Sequence, residues 1–513
     1  MGFQGFVISD WWAMPGEQLA TGYSSETLQA SAIEATAAGT DIEVPWQLHY
    51  SAATLRNVDQ QLVDEAARRI VTQKYRFNSA QDTDPWSLVP PTSTLAGGSV
   101  AANVAHEELA EEAAIKSAVL LTNGLDASSR VLPLHGANNV AVVGIQQHFR
   151  QISSSLPTTC TVEYLDNGVS VKRECTFDFA TDPALGDRGS SRVNGDPERV
   201  VGPFAGIRSI AGKERTVTSG HTAEDAADAD TIVVVVGYTP GDEGEEYYLQ
   251  HGGDRSSLDL PPGHIELLWS VLDLNKPTVI IVESGSIVNL PWLDHANQKQ
   301  ATIWAGYPGV RGGTALGKLI FGEANFSGKM PMAWPAEHEL PVFKETELST
   351  TMGYFFGYRE FDRRQYVEGT AVDLVFPFGH GLSYASFEYS NITVPCATVS
   401  AEAVFNVTVD ITNTSATDGD EVAMLFVKPP AKPDDRTGQR PWKELKSFAR
   451  ASVPAGQAVT AQLPVRVRDL RRWEGGSDGR WVIDSGDYTI AVAKNAADAE
   501  TTSQQAVVTV AGD

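Results

Sequence analysis

The sequence predicts a multidomain α/β protein that ends in a β-sandwich. With 513 residues, the chain is longer than one hydrophobic core usually organises. Short apolar runs alternate with helical patterns over most of its length, and strand-like alternation with a period of two replaces this pattern after residue 385. The longest apolar run, TIVVVVG at 231–237, is far shorter than the roughly 20 residues that span a bilayer.

The charge balance argues against some classes of partner. The chain has 39 Lys and Arg residues against 65 Asp and Glu residues, which gives a formal net charge of −26. Nucleic acids and anionic membranes would be repelled, so neither is expected as a partner. A neutral or cationic ligand fits better, although an acidic surface also serves solubility alone.

Residues 1–77 predict a strand, a helix, a second strand and a second helix. The first strand is 5–8 (GFVI), which we expect to be buried, and the first helix is 25–39, which Gly39 ends. The second strand is 40–45, and the second helix is 60–77, where apolar residues recur at helical spacing. Residues 78–103 are rich in Pro, Ser, Thr and Gly and predict a linker.

Residues 104–345 predict an α/β sandwich domain with a mostly parallel sheet, covered by helices on both faces. The expected helices are 104–118, 263–274 and 312–321, and the expected strands are 138–145, 231–238, 278–284 and 301–307. A connecting segment, 346–384, leads to residues 385–513. Several strands of period two there, separated by turn signals, predict a β-sandwich of immunoglobulin or fibronectin type.

Asp10 is the first candidate catalytic residue. It follows the apolar run 5–8, and parallel α/β barrels place catalytic side chains at the carboxyl ends of their strands. Trp11 and Trp12 come next, and aromatic rings beside a carboxylate suit a sugar, whose apolar faces stack on the rings. The alternative is that Asp10 only caps a turn or helix.

A second candidate site is the long acidic loop 239–261. It follows the predicted strand 231–238 and contains Asp242, Glu243, Glu245, Glu246, Asp254 and Arg255. Ligands of open α/β sheets bind beyond the carboxyl ends of the strands, and crowded carboxylates raise one another's pKa, so one of them could act as a general acid. The alternative is a solvated acidic loop. A nucleophilic and an acidic carboxyl group about 5–5.5 Å apart are what a retaining glycosidase requires.

Other patterns predict neither metal nor cofactor. His106, Glu107 and Glu108 open a helix without metal-ligand spacing, so surface or capping roles are expected. The segment VVGIQQ at 142–147 lacks the GxGxxG pattern of a dinucleotide site.

Cysteine and sequon patterns bear on the compartment. Cys160 and Cys175 could form a disulfide that leaves Cys396 unpaired, or all three cysteines could be free thiols. Four Asn-X-Ser/Thr sequons begin at Asn325, Asn391, Asn406 and Asn413.

Several motifs together resemble those of glycoside hydrolase family 3, the β-glucosidase and β-xylosidase group. They are GFQGFVISDW, GDEGEEYYLQHGGDRSSLDLP, FGEANFSGKMPMAWP and FPFGHGLSYASFEYS, and the likeness extends along the whole chain. The resemblance implies that Asp10 is the nucleophile, that Trp11 is a wall of the sugar site and that Glu245 is the acid/base, with Glu246 and Glu243 as alternatives.

The resemblance also implies that residues 1–77 are the C-terminal remnant of a (β/α)8 barrel whose earlier strands would precede this chain. A fibronectin type III-like domain is implied for residues 385–513. The implied activity is retaining hydrolysis of terminal β-D-glucosyl residues from β-glucosides or oligosaccharides, without metal or cofactor, in an extracellular protein. Alternatives are a β-xylosidase or other β-glycosidase, and a non-catalytic carbohydrate-binding or interaction protein derived from such an enzyme. Oligomeric state is left open.

Overall fold

The computed structural model of the protein divides into two compact units, residues 1–101 and 102–513. The described residues are 3, 5–10, 13–14, 25–44, 47–76, 104–126, 128–136, 138–151, 161–163, 172–185, 199–239, 242–243, 255, 257–340, 355–430, 440–475 and 479–511. The predicted linker 78–103 and Cys160 lie outside them, and the side chain of Cys175 is not described. Cys396 is exposed and free.

The described part of the first unit contains three helices and one short pairing of extended segments. The helices are α1 (Ser25–Ala38), α2 (Ala52–Leu55) and α3 (Gln60–Arg76). Gly39 follows α1 with a φ of +98°, which confirms it as the residue that ends the helix. In their described residues, the two predicted strands form one isolated parallel bridge, between Ile8 and Ile42. Val7 and Ile8 are 45% and 50% exposed, so the segment is not buried: two βα units cannot close a barrel around it, and its apolar face meets solvent.

The second unit begins with a six-stranded sheet. Its strands, in chain order, are β1 (Val119–Asn123), β2 (Asn139–Val143), β6 (Thr216–Gly220), β7 (Thr231–Gly237), β8 (Thr278–Glu283) and β9 (Gln300–Trp304). A smaller antiparallel sheet is inserted after β2 and consists of β3 (Gln146–Gln151), β4 (Thr161–Glu163) and β5 (Lys172–Asp178). The spatial order is β1-β9-β8-β7-β2-β6, and only β1 is antiparallel to its neighbour. The chain therefore reverses its direction of travel across the sheet between β2 and β7, a topological switch point.

Helices cover both faces of this sheet, as predicted. They are α4 (Val104–Ser117), α5 (Pro203–Ala211), α6 (Pro262–Leu272) and α7 (Gly312–Phe321). Val233 and Val235 of β7 point into one core with Phe179, whereas Ile232 and Val234 point into the other with Trp292. Every residue of β7 and β8 is buried, so these two strands form the centre of the domain.

Short elements connect the sheet to a β-sandwich. They are β10 (Trp334–Pro335), α8 (Tyr358–Asp362) and β11 (Leu374–Phe376). The sandwich strands are β12 (Phe387–Thr393), β13 (Thr398–Val399), β14 (Val404–Asn413), β15 (Gly419–Lys428), β16 (Glu444–Val453), β17 (Ala458–Arg466), β20 (Gly486–Ala493) and β21 (Gln505–Val510), with a separate hairpin of β18 (Arg472–Glu474) and β19 (Arg480–Val482). They form sheets β12-β14-β17 and β13-β21-β20-β15-β16. Alternate residues of β14 are buried between the sheets, which explains the period of two.

The four sequons differ in their surroundings. The side-chain amide of Asn413 is fully buried and donates to the carbonyl groups of Thr417 and Val453. Asn325 donates to the carbonyl of Asp418 and accepts from the backbone N–H of Tyr384. Both asparagines thus serve as structural links, whereas Asn391 and Asn406 are exposed.

The last residue of β8, Glu283, is a fully buried carboxyl group in the apolar sheet. Neither of its oxygen atoms has a hydrogen-bond partner among the described residues. Burial raises the pKa of Glu283 to about 8, and the nearby charge of Asp182 acts in the same direction. Glu283 is therefore protonated in the folded protein at neutral pH.

Glu283 predicts a pH dependence of stability. Its pKa is higher in the folded protein than the usual 4.5, so the folded state holds more protons, and stability should fall as the pH rises from about 4.5 to about 8. We expect the free energy of unfolding to lose up to about 1.4 kcal/mol per pH unit in this window through this group. Glu283→Gln should remove that part of the slope in urea unfolding measured at several pH values.

The matched control is Glu266→Gln, which changes an exposed glutamate of α6. It should leave the pH slope of wild-type stability unchanged. Parallel stability curves for wild type and Glu283→Gln would show that Glu283 does not titrate in this window.

Candidate active site

Asp10 directly follows the extended pairing in the first unit. The backbone N–H of Ser9 donates to the carbonyl of Ile42 at 2.9 Å, and the hydroxyl of Ser9 accepts from the N–H of Val44 at 3.1 Å. Asp10 is exposed immediately beyond these two bonds. Asp10 thus follows an exposed extended segment, whereas Trp11 lies outside the described residues.

A buried aspartate fixes the segment that leads to Asp10. The carboxylate of Asp41 accepts from the backbone N–H of Val7 at 2.8 Å and from Arg69 Nε of α3 at 3.0 Å. The Asp41 side chain is fully buried, so this charge is stabilised by Arg69 and not by water. Helix α3 is thereby linked to the backbone three residues before Asp10.

The acidic loop starts at the carboxyl end of β7, one of the two strands that flank the switch point. Asp242 Oδ2 accepts from both the backbone N–H and the hydroxyl of Thr239, each at 2.8 Å, which closes a tight turn as the chain leaves the strand. Gln147, which belongs to β3 just after β2, donates to the same carboxylate at 3.3 Å. The chain just after β2 and the chain just after β7 are thus joined at the beginning of the loop.

Glu243 has both carboxylate oxygen atoms engaged. Its Oε2 accepts from the backbone N–H of Gly285 at 2.8 Å and from the hydroxyl of Tyr307, and its Oε1 lies 3.0 Å from Arg255 Nε. Gly285 follows β8 and Tyr307 follows β9, so one carboxylate connects the ends of neighbouring strands. These contacts favour an anchoring role for Glu243.

Arg255 completes the connection at the other end of the loop. Its guanidinium group lies 4.3 Å from the ring centroid of Tyr238 and donates to the carbonyl of Ile287 at 3.2 Å. The ion pair with Glu243 is 13% exposed on each side, so it is shielded from most of the solvent. Glu243 and Arg255 close the base of the loop, and Glu245, Glu246 and Asp254 lie between them in sequence but outside the described residues.

His264 supports the loop from beneath. It is fully buried in α6, and burial lowers its pKa to about 3, so the ring is neutral at physiological pH. Its Nε2 donates to Gln147 Oε1 at 3.2 Å, while Nδ1 has no hydrogen-bond partner in the described part of the chain. His264 therefore orients Gln147, which in turn holds Asp242.

Sequence reasoning located the acidic loop but missed the residues that hold it. Gln147, Gly285 and Tyr307 come from three separate segments, and no local pattern connects them. The one available signal was Arg255, a single cation among clustered carboxylates, which predicts an internal ion pair.

The described ranges contain neither a metal cluster nor a membrane-spanning helix. No group of three or more His, Cys, Asp or Glu side chains within them is arranged to hold a metal ion. No helix of the described chain is both long and apolar enough to cross a membrane. Glu107, for which a surface or capping role was expected, instead forms ion pairs with Arg199 and, at 3.9 Å, with Arg311.

Comparison with known protein families gives two matches. Residues 118–384 match the glycosyl hydrolase family 3 C-terminal domain, and residues 421–496 match the fibronectin type III-like domain. The first match covers the six-stranded sheet together with the acidic loop, and the second covers much of the sandwich.

Individual proteins agree with the family matches. The chain is 27% identical over 538 aligned positions to a protein named probable β-glucosidase L of Aspergillus terreus, an alignment that covers 97% of this chain and 66% of that relative. The chain thus spans just under two thirds of the length of this curated relative.

Solved structures show the same fold. The β-glucosidase EmGH1 of Erythrobacter marinus superposes with a TM-score of 0.74 at 23% identity, covering 99% of this chain and 64% of that chain. A mutant β-glucosidase from Listeria innocua, solved in complex with laminaribiose, gives a TM-score of 0.69 at 20% identity and covers 99% of this chain and 63% of that one. Residues 118–384, which match the family's C-terminal domain, make up more than half of this chain, so the chain belongs to glycoside hydrolase family 3.

Proposed function

We propose that this protein acts as a retaining β-glucosidase, with Asp10 as nucleophile and Glu245 as acid/base. The observation that carries the proposal is the match to a protein named as a β-glucosidase along 97% of the chain. Laminaribiose, the ligand of the Listeria innocua neighbour, is a β-linked glucose disaccharide, which makes β-glucosides the preferred substrate class.

The proposed reaction is a double displacement. Asp10 attacks the anomeric carbon as Glu245 protonates the departing glycosidic oxygen, which forms a glycosyl ester on Asp10 and releases the aglycone. Glu245 then takes a proton from water, and this water attacks the same carbon and frees the sugar with its configuration retained. Trp11 would be a wall of the sugar site. Glu243 and Arg255 would serve as positioning residues that close the base of the acid/base loop.

Asp10→Asn should abolish turnover of an aryl β-glucoside, because an amide does not form the glycosyl ester. Hydrolysis is measured with the 513-residue chain by release of the phenol. The matched control is Asp64→Asn, an exposed aspartate of α3 in the same unit, which should keep wild-type turnover. Activity of Asp10→Asn near that of wild type would remove Asp10 as nucleophile. A wild-type chain that binds gluco-oligosaccharides without turnover would instead support a non-catalytic binding protein.

Glu245→Ala should lower kcat by roughly 10²–10⁴-fold for substrates with poor leaving groups, because these depend most on general acid catalysis. Azide should restore activity to this variant as an external nucleophile that needs no general base. Glu243→Ala is the informative comparison: we expect it to lose activity through a displaced loop, without rescue by azide. Rescue found only in Glu246→Ala or Glu243→Ala would move the acid/base to that residue.

Two finer features of the function stay predictions. Discrimination of glucose from xylose or another sugar would be measured with a panel of aryl β-glycosides. Secretion with N-glycosylation would use the exposed Asn406 in preference to Asn325, Asn391 and Asn413, whose side-chain amides donate hydrogen bonds within the fold.

A further inference from the structure

In the hairpin formed by β18 and β19, the large apolar side chains face solvent and a charged side chain faces inward, the reverse of the usual arrangement. Trp473 and Trp481 are directly paired across the two strands, and the next pair, Arg472 and Val482, points to the other face. Arg472 and Val482 are partly buried, whereas Trp473 and Trp481 are 40% and 54% exposed. Two large apolar rings therefore face solvent while an arginine faces the sandwich.

Ion pairs of the buried Asp484 attach this hairpin to the sandwich. Arg472 Nε donates to Asp484 Oδ2 at 2.9 Å, and Asp484 is also paired with the buried Arg440. The carbonyl of Asp484 accepts from the hydroxyl of Tyr488 in β20 at 3.0 Å. The arginine beneath the hairpin thus anchors the surface that the two indoles form.

The two indoles form a corner with a cation beside it. Their ring centroids are 5.5 Å apart and the ring planes are inclined by 77°, an edge-to-face contact. The guanidinium carbon of Arg471 lies 5.7 Å from the ring centroid of Trp481. Arg471 Nε donates to the carbonyl of Arg468 at 2.6 Å, and its two Nη groups make no hydrogen bond to other described residues.

We propose that the corner formed by Trp473, Trp481 and Arg471 on the sandwich binds a β-linked glucan chain. Pyranose rings present apolar C–H faces that stack on exposed indoles, and their hydroxyl groups accept hydrogen bonds from a guanidinium group. The choice of a β-glucan rests on the proposed function. Such a site would hold a polymeric substrate on the protein while its chain ends are hydrolysed.

Native electrophoresis through gels containing a soluble mixed-linkage β-glucan tests this site in the whole 513-residue chain. Excess glucose in every gel occupies the sugar site of the catalytic centre. We expect the glucan to retard wild type, and Trp473→Ala/Trp481→Ala to weaken the apparent affinity about tenfold. The matched control is Phe448→Ala, which removes a 67% exposed aromatic residue from β16 of the same sandwich and should change affinity less than about twofold.

Three outcomes would overturn the proposal: no retardation of wild type, unchanged retardation of the double variant, or equal retardation by amylose. Turnover of an aryl β-glucoside, measured on the same preparations, should be equal in wild type and double variant. The turnover measurement tests the proposed β-glucosidase activity separately from the proposed glucan site, because a chain without turnover can still be retarded by the glucan.

Loss of the indole contact could also unfold the hairpin, so a measurement on the unaltered protein is included. Oxidative footprinting of wild type with and without a β-glucan oligosaccharide should show protection of Trp473 and Trp481 and no protection of Phe448. Equal oxidation of both tryptophans with and without the oligosaccharide would contradict the proposal.

Discussion

The burial of β7 and β8 on both faces of the sheet is the constraint on which the candidate site of the second unit depends. A strand covered on both sides has no room for solvated polar groups along its length, so polar side chains can be placed only where it ends. The loop with Asp242 and Glu243 leaves β7 at such an end, beside the switch point with β2. Glu283 shows that the constraint holds even at the last position of β8, because its carboxyl group is still fully buried there and is held neutral by the raised pKa.

The ion pair between Glu243 and Arg255 defines the base of the acidic loop. A contact that joins the two ends of a long loop shortens the loop and lowers the entropic cost of closing it. Exposed ion pairs contribute little, but this pair is mostly shielded and is reinforced by Gly285 and Tyr307. Because these contacts engage Glu243, its role can differ from those of Glu245 and Glu246, its neighbours in the sequence.

The sandwich is joined to the α/β sheet by a polar seam within the second unit. Glu421 of β15 is buried and accepts from the Tyr389 hydroxyl at 2.8 Å, with Lys329 Nζ of the α/β domain 3.5 Å away. Asn325 connects the two parts through Asp418 and Tyr384. Buried polar groups need specific partners, so such a seam fixes the arrangement of the two parts more narrowly than apolar packing would.

The sequence by itself determined the element types and the segments where chemistry concentrates. Apolar runs such as 231–237, the helix ended by Gly39 and the period of two in 404–413 depend on local pattern, and each was predicted correctly. The exposure of Val7 and Ile8 and the partners of Glu243 and His264 were decided only by the tertiary structure. Glu243 meets Gly285 and Tyr307 because parallel strands bring their carboxyl ends together, and no local pattern encodes which distant residues arrive there.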